Sequence, residues 1–166
     1  MSRIGLLSGL GGLFLIGFLG WLFTAPYLGN EGLARAPGII LGGESTTPPE
    51  DFTPLFESFP GPLLMKQQGF PPFVNYLSWV GISGGVITAT HPDGALWAQR
   101  VRDRNGDGWL RIGDATYAME AIEIFDEERI SMMEQWAAMV GISLDDSLYE
   151  GAAPLREFEV FFWKAR

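Results

Sequence analysis

Between Asp103 and Asp114 the chain reads DRNGDGWLRIGD. Asp103, Asn105, Asp107 and Asp114 put oxygen-bearing side chains at positions 1, 3, 5 and 12 of a twelve-residue loop. Gly108 takes position 6, where such a loop turns sharply, and Leu110 takes position 8, where an apolar side chain packs inward. A hard cation such as Ca²⁺ wants six to eight oxygens, and short carboxylates at this spacing fold around one point. Trp109 would add its backbone carbonyl at position 7. Arg111 at position 9 cannot ligate and brings positive charge beside the ion, while Asp114 is a shorter closing ligand than Glu. The expected dissociation constant is therefore modest, roughly 10⁻⁴–10⁻³ M. The expected role is structural, with the ion neutralising carboxylates and pinning the helix that follows. The plainer alternative is an Asx- and Gly-rich turn with no ion.

The pattern D-x-N-G-D-G-x-x-x-I-G-D resembles the EF-hand calcium loop, and with Asp closing the loop it is most similar to a dockerin-type repeat. The resemblance covers about twenty residues, Asp103 to near Ile122. Dockerins carry two such repeats and this chain shows one, so the resemblance does not imply a cohesin partner. Asp145-Asp146-Ser147 is too short and irregular for a second loop.

Other chemistry is sparse. The absence of cysteine removes thiolate nucleophiles, disulfides, zinc–cysteine sites and iron–sulfur clusters. His91 is the one histidine, and His91-Pro92-Asp93-Gly94 reads as a turn rather than a base with its orienting carboxylate. Glu127/Glu128 and Asp145/Asp146 are adjacent pairs, which does not place two carboxylates across a substrate. No G-x-S-x-G, P-loop or G-x-G-x-x-G occurs. A non-catalytic protein is expected, and a carboxylate hydrolase is the least favoured class.

The elements around the loop follow from periodicity. Ala95–Arg102 reads as a short helix entering it. From Asp114 as cap, Ala118, Ala121, Ile122, Phe125, Met132, Met133, Trp136 and Val140 recur at three and four residues, predicting one helix ending at Gly141. Residues 157–163 read as a terminal strand, and Tyr76–Ile82 and Val86–Thr90 as strands around a glycine turn. These make a small acidic domain over 74–166. Before it, residues 26–73 hold nine prolines interleaved with Phe52, Phe56, Phe59 and Phe70. Such a Pro/Gly-rich arm cannot be helical, and its aromatic anchors suit an extended segment lying on a partner or on its own domain.

Residues 1–25 form the third part. Ile4–Phe23 carries no charge, and twenty helical residues span a ~30 Å hydrocarbon layer. Trp21 and Tyr27 would sit in an interfacial belt. Gly5, Ser8, Gly9, Gly12 and Gly20 share one arc and would admit a partner helix. A cleaved signal peptide is the competing reading, with Ala34-Arg35-Ala36 as an A-x-A site disfavoured by Pro37. Arg3 at the front points the C-terminal domain to the extracytoplasmic side. Gln67–Thr90 lacks charge, and a second crossing near 73–90 stays open beside the strand reading.

The formal net charge is −9, from 20 acidic and 11 basic residues, and most of the excess lies beyond residue 90. Phosphate backbones are repelled by such a surface, which excludes nucleic acid as a partner. The expected fold is α+β: a transmembrane helix, an extended arm, and a mixed domain with one EF-hand-like loop–helix unit. The expected function is a non-catalytic, membrane-anchored accessory subunit of a larger complex, respiratory or photosynthetic by analogy, with other membrane subunits and the lipid bilayer as partners and Ca²⁺ as cofactor. The alternative is a free or exported calcium-binding module that recruits a soluble partner.

Overall fold

The computed structural model describes residues 3–24, 38–59, 61–92 and 95–166, with side chains of the first helix described over residues 9–20. After helix α1 (Arg3–Thr24) come β1 (Glu44–Ser45), α2 (Thr53–Ser58), β2 (Leu63–Gln67), β3 (Val74–Leu77), β4 (Trp79–Ile82) and β5 (Gly85–Thr90). The second half holds α3 (Leu96–Asp103), β6 (Asp107–Ile112), β7 (Ala115–Ile124), α4 (Asp126–Val140) and β8 (Glu159–Ala165). The fold is mostly antiparallel sheet with few helices, which corrects the expected α+β architecture and its loop–helix unit.

Seven strands bond in the order β3-β2-β6-β7-β8-β5-β4, all antiparallel, and β1 adds a parallel pair at the start of β7. The two ends of that order, β3 and β4, are separated in the chain by Ser78 alone. In a flat sheet these strands would lie roughly 29 Å apart, at about 4.8 Å per strand. One residue spans only about 3.8 Å. The sheet therefore curls into a half-barrel, bringing its two edges to the Ser78 corner.

Alternation along the strands sorts the core into two layers. Inside the curl lie Leu63, Met65, Leu110, Met119, Phe161 and Trp163, each at most 1 % exposed. Phe52, just before α2, and Trp97, Ala98 and Val101 of α3 complete that cluster. On the outer face of β4, β5 and β8, Val80, Ile87 and Val160 meet Met133, Trp136 and Ala137 of α4. Acidic residues occupy the first turn of α4, where the helix dipole favours them, and Gly141 at φ 77° closes it in the left-handed region.

The long helix expected from Asp114 onward is instead β7 followed by α4. Ala118, Ala121, Ile122 and Phe125 do recur at helical spacing, but Tyr117, Met119 and Ala121 recur at two, and all three are buried. Pairing on both sides, with β6 and with β8, makes the two-residue period prevail. Residues 74–90 form β3, β4 and β5, so the second crossing is corrected as well.

Helix α1 is apolar on all sides. Leu13, Phe14, Leu15 and Ile16 are between 56 and 78 % exposed. A Cβ placed on Gly9, Gly12 or Gly20 would meet nothing within 4 Å. Residues 9–20 cover roughly 18 Å at about 1.5 Å per residue, short of a ~30 Å hydrocarbon layer. Among the described residues no helix is long and apolar enough to cross a membrane. That corrects the expected single-pass anchor and the extracytoplasmic location built on it, and it takes away the basis for a respiratory or photosynthetic membrane complex. The Gly5, Ser8 and Trp21 side chains, Tyr27 and Ala34-Arg35-Ala36 lie outside the described residues.

Candidate functional site

The predicted cation loop is a strand and a hairpin. Asp103 ends α3, Asn105 and Gly106 lie in the connection, and Asp107 and Trp109 are in β6. Ile112 pairs with Ala115, leaving Gly113-Asp114 as a two-residue hairpin turn. Gly113 has φ 60°, the positive value that tight hairpin turns require at their first central position. Six extended residues at about 3.4 Å each hold Asp107 and Asp114 at opposite ends of β6, roughly 20 Å apart along the strand. Calcium ligands must approach one point to within about 2.6 Å.

Each expected ligand has another environment. Asn105 Nδ2 donates to Asp107 Oδ2 at 2.9 Å, and Arg166 pairs with the same carboxylate at 3.2 Å. Trp109 carries the Arg166 guanidinium 5.7 Å from its ring centroid. Asp114 is fully exposed, 3.7 Å from Arg111 Nη2. Gly106 cannot carry a side chain, because a Cβ there would come within 1.8 Å of the Ala121 carbonyl. Its own carbonyl accepts from Ala121 N at 2.9 Å, fastening the connection to β7. Among the described residues no group of three or more His, Cys, Asp or Glu could hold a metal ion. The calcium-binding, EF-hand assignment is therefore corrected: the residues are present, but extended pairing keeps them from converging.

The same strands form a different constellation on their outer face. Residues 38–42 cross β3, β2, β6 and β7 in turn, and each strand supplies a donor to the crossing chain. Val74 N donates to the Gly38 carbonyl at 2.8 Å, and Lys66 Nζ to that of Ile39 at 2.6 Å. Arg111 Nη1 donates to the Leu41 carbonyl at 3.1 Å, and Thr116 Oγ1 to that of Gly42 at 2.7 Å. Leu41 itself is buried, and the segment then joins β7 as β1. Thus the described stretch of the Pro-rich region lies on its own domain, the second of the two placements its aromatic residues suggested. Lys66, Arg111 and Thr116 carried no sequence motif. Their outward position could have been found from the buried alternation of Leu63, Met65 and Gln67 in β2 and of Leu110 and Ile112 in β6.

The ionised side chains outside this strap serve the fold. Arg102 pairs with Glu123 and, at 2.9 Å, with Glu159, bracing α3 against β7 and β8. Hydrogen bonding to Glu123, with a smaller contribution from Glu159, outweighs partial desolvation and pushes the guanidinium further up. His91 Nε2 lies 3.2 Å from the Tyr149 hydroxyl, and its ring sits 4.4 Å from that of Phe158. Asp93, its possible orienting partner in the sequence, lies outside the described residues. Glu127 and Glu128 are exposed at the start of α4. No known protein family matches this chain, and neither does any characterised protein.

Proposed function

We propose that this chain is a non-catalytic accessory module that docks into a larger protein assembly through helix α1. The single observation that carries the reading is the exposure of α1 around its whole circumference, Leu10, Leu13, Phe14, Leu15 and Ile16 included. A helix that is apolar all round reaches a stable state only when other apolar surface encloses it. Individual apolar residues are common on surfaces, but a contiguous apolar element of this kind marks an interaction site. The strap over β3, β2, β6 and β7 supports the same reading. Its four hydrogen bonds hold the segment that follows α1 in sequence firmly to a rigid sheet, so a partner that takes up the helix also positions the domain. The acidic balance directs such a partner to be a protein rather than a nucleic acid.

The test is purification of the full-length chain from its native source in a mild non-ionic detergent, followed by size exclusion and identification of what co-elutes. A defined protein complex is expected, lost when Leu13→Lys and Ile16→Lys are introduced together. Elution of the wild-type chain alone, with the double variant indistinguishable from it, sinks the docking role and leaves the free-module alternative.

A further inference from the structure

The Ser78 corner, where the sheet edges meet, carries a second site. At that residue β3 stops pairing with β2 and the chain begins to pair with β5 as β4, so the ladder is interrupted and the surface opens. Three clefts adjoin there, of about 340, 270 and 190 Å³, and Ser78 lines all of them. The two larger ones share Tyr76, Leu77 and Trp97. Their walls are aromatic: Tyr76, Trp97, Trp136 and Phe158, with the His91 imidazole beside them. None of the residues lining the three carries a carboxylate, ammonium or guanidinium group. Trp136 lines two of the clefts, is 5 % exposed, and its indole N–H has no hydrogen-bond partner among the described residues. Buried polar groups are ordinarily paired, because leaving one unpaired costs about 1–3 kcal/mol.

We propose that the Ser78 corner binds a flat, uncharged heteroaromatic molecule of one or two fused rings, with a ring acceptor facing the Trp136 indole N–H. Size fits, since a dry cavity of about 150 Å³ suffices for benzene. Chemistry fits as well: aromatic walls favour a flat π-face, and the missing charges disfavour an ionised ligand. The Ser78 and Thr90 hydroxyls and the His91–Tyr149 pair supply the few polar groups that orient a ligand in such a site. This proposal is independent of the docking role of α1.

Quinoline and naphthalene, the same fused rings with and without a ring acceptor, are the probes. They are titrated into the isotope-labelled full-length chain while the indole N–H resonances are followed. Quinoline is expected to shift the Trp136 resonance and to bind roughly three- to tenfold more tightly than naphthalene. Trp136→Phe keeps the aromatic bulk and removes the donor, so the two probes should then bind equally. Ser78→Phe, at an exposed position, fills the corner and should weaken both probes by about tenfold with the circular dichroism unchanged. Equal binding of the two probes to wild type, or quinoline binding that survives Ser78→Phe, overturns the proposal even where Trp136→Phe fails to fold.

Discussion

Trp163 donates its indole N–H to the Thr88 hydroxyl at 3.0 Å, linking β8 to β5 inside the curled sheet. Both residues are fully buried. Thr88 is one of two buried polar residues there, and without the bond the indole N–H would face apolar neighbours on every side. Thr88→Val keeps the shape and removes the acceptor. It should lower unfolding free energy by about 1–3 kcal/mol, because one partner is deleted and the other stays buried. Urea unfolding followed by tryptophan fluorescence measures this, with Thr90→Val, at a half-buried position on the same strand, as the mild comparison. Equal stability of the two variants would show that the bond contributes nothing special.

The strap yields a local prediction rather than a global one. Arg111 reaches across to Leu41 and also donates Nε to the Gly113 carbonyl at 2.9 Å, so one side chain holds both the strap and the hairpin turn. Arg111→Met keeps the apolar stem and removes both bonds. Hydrogen bonds from a charged donor contribute about 1.5–3 kcal/mol each, and partial exposure places this pair toward the lower end. Amide exchange at Glu44 and Thr46, whose N–H groups bond to Asp114 and Thr116, should accelerate by more than about tenfold. Amides of β7 and β8 should be unchanged. Uniform acceleration across the sheet would mean that the strap is part of the global fold instead.

What the sequence discloses here depends on the distance over which structure is decided. The short helix expected at 95–102 lies at Leu96–Asp103, because its pattern is local. The terminal strand, expected from residue 157, begins at Glu159, and the glycine turn at Gly84-Gly85 separates β4 from β5. By contrast, β2 sits within the proline-dense region, where five residues of alternation are too few to stand out from the breakers around them. Closure at Ser78 was not legible either, since it depends on which distant strands pair. Gly113-Asp114 had two local readings, as the end of a cation loop or as a hairpin turn. Pairing of β6 with β7 over six residues decides for the turn. Among the candidate ligands, Asp107 and Asp114 were correctly seen as polar positions flanking an apolar run. Their convergence was the step that only tertiary structure could refuse.

That refusal is directly measurable. With Asp114 at the far end of β6 and Asp107 engaged by Asn105 and Arg166, calcium added to several millimolar should leave Trp109 fluorescence and thermal stability unchanged. Asp107→Ala should behave in titration like wild type, while losing a small part of its stability with the Arg166 contact. A saturable change present in wild type and absent in Asp107→Ala would show that the hairpin rearranges around an ion.

Asp51 supplies the pH prediction. Its carboxylate Oδ1 accepts from Thr53 N at 2.9 Å, at the entrance to α2, whose Leu55 and Phe56 pack against the inner core next to Phe52. Backbone and then side-chain hydrogen bonding from Thr53 outweigh a slight desolvation and hold the carboxyl below its ordinary value of 3.8. A carboxylate depressed in the folded state contributes stability that is present above its unfolded pKa and is lost as pH falls through the folded one. Above about pH 5 the contribution is complete, and it fades below about pH 4. Exchange at the Phe56 and Phe59 amides, which bond to Phe52 and Leu55, should therefore quicken relative to β-sheet amides only at the acid end. In Asp51→Ala the same amides should exchange fast at all pH values, with no acid-dependent change relative to the sheet. A wild-type profile that steepens instead between pH 6 and about 8 would assign the loosening of α2 to another group.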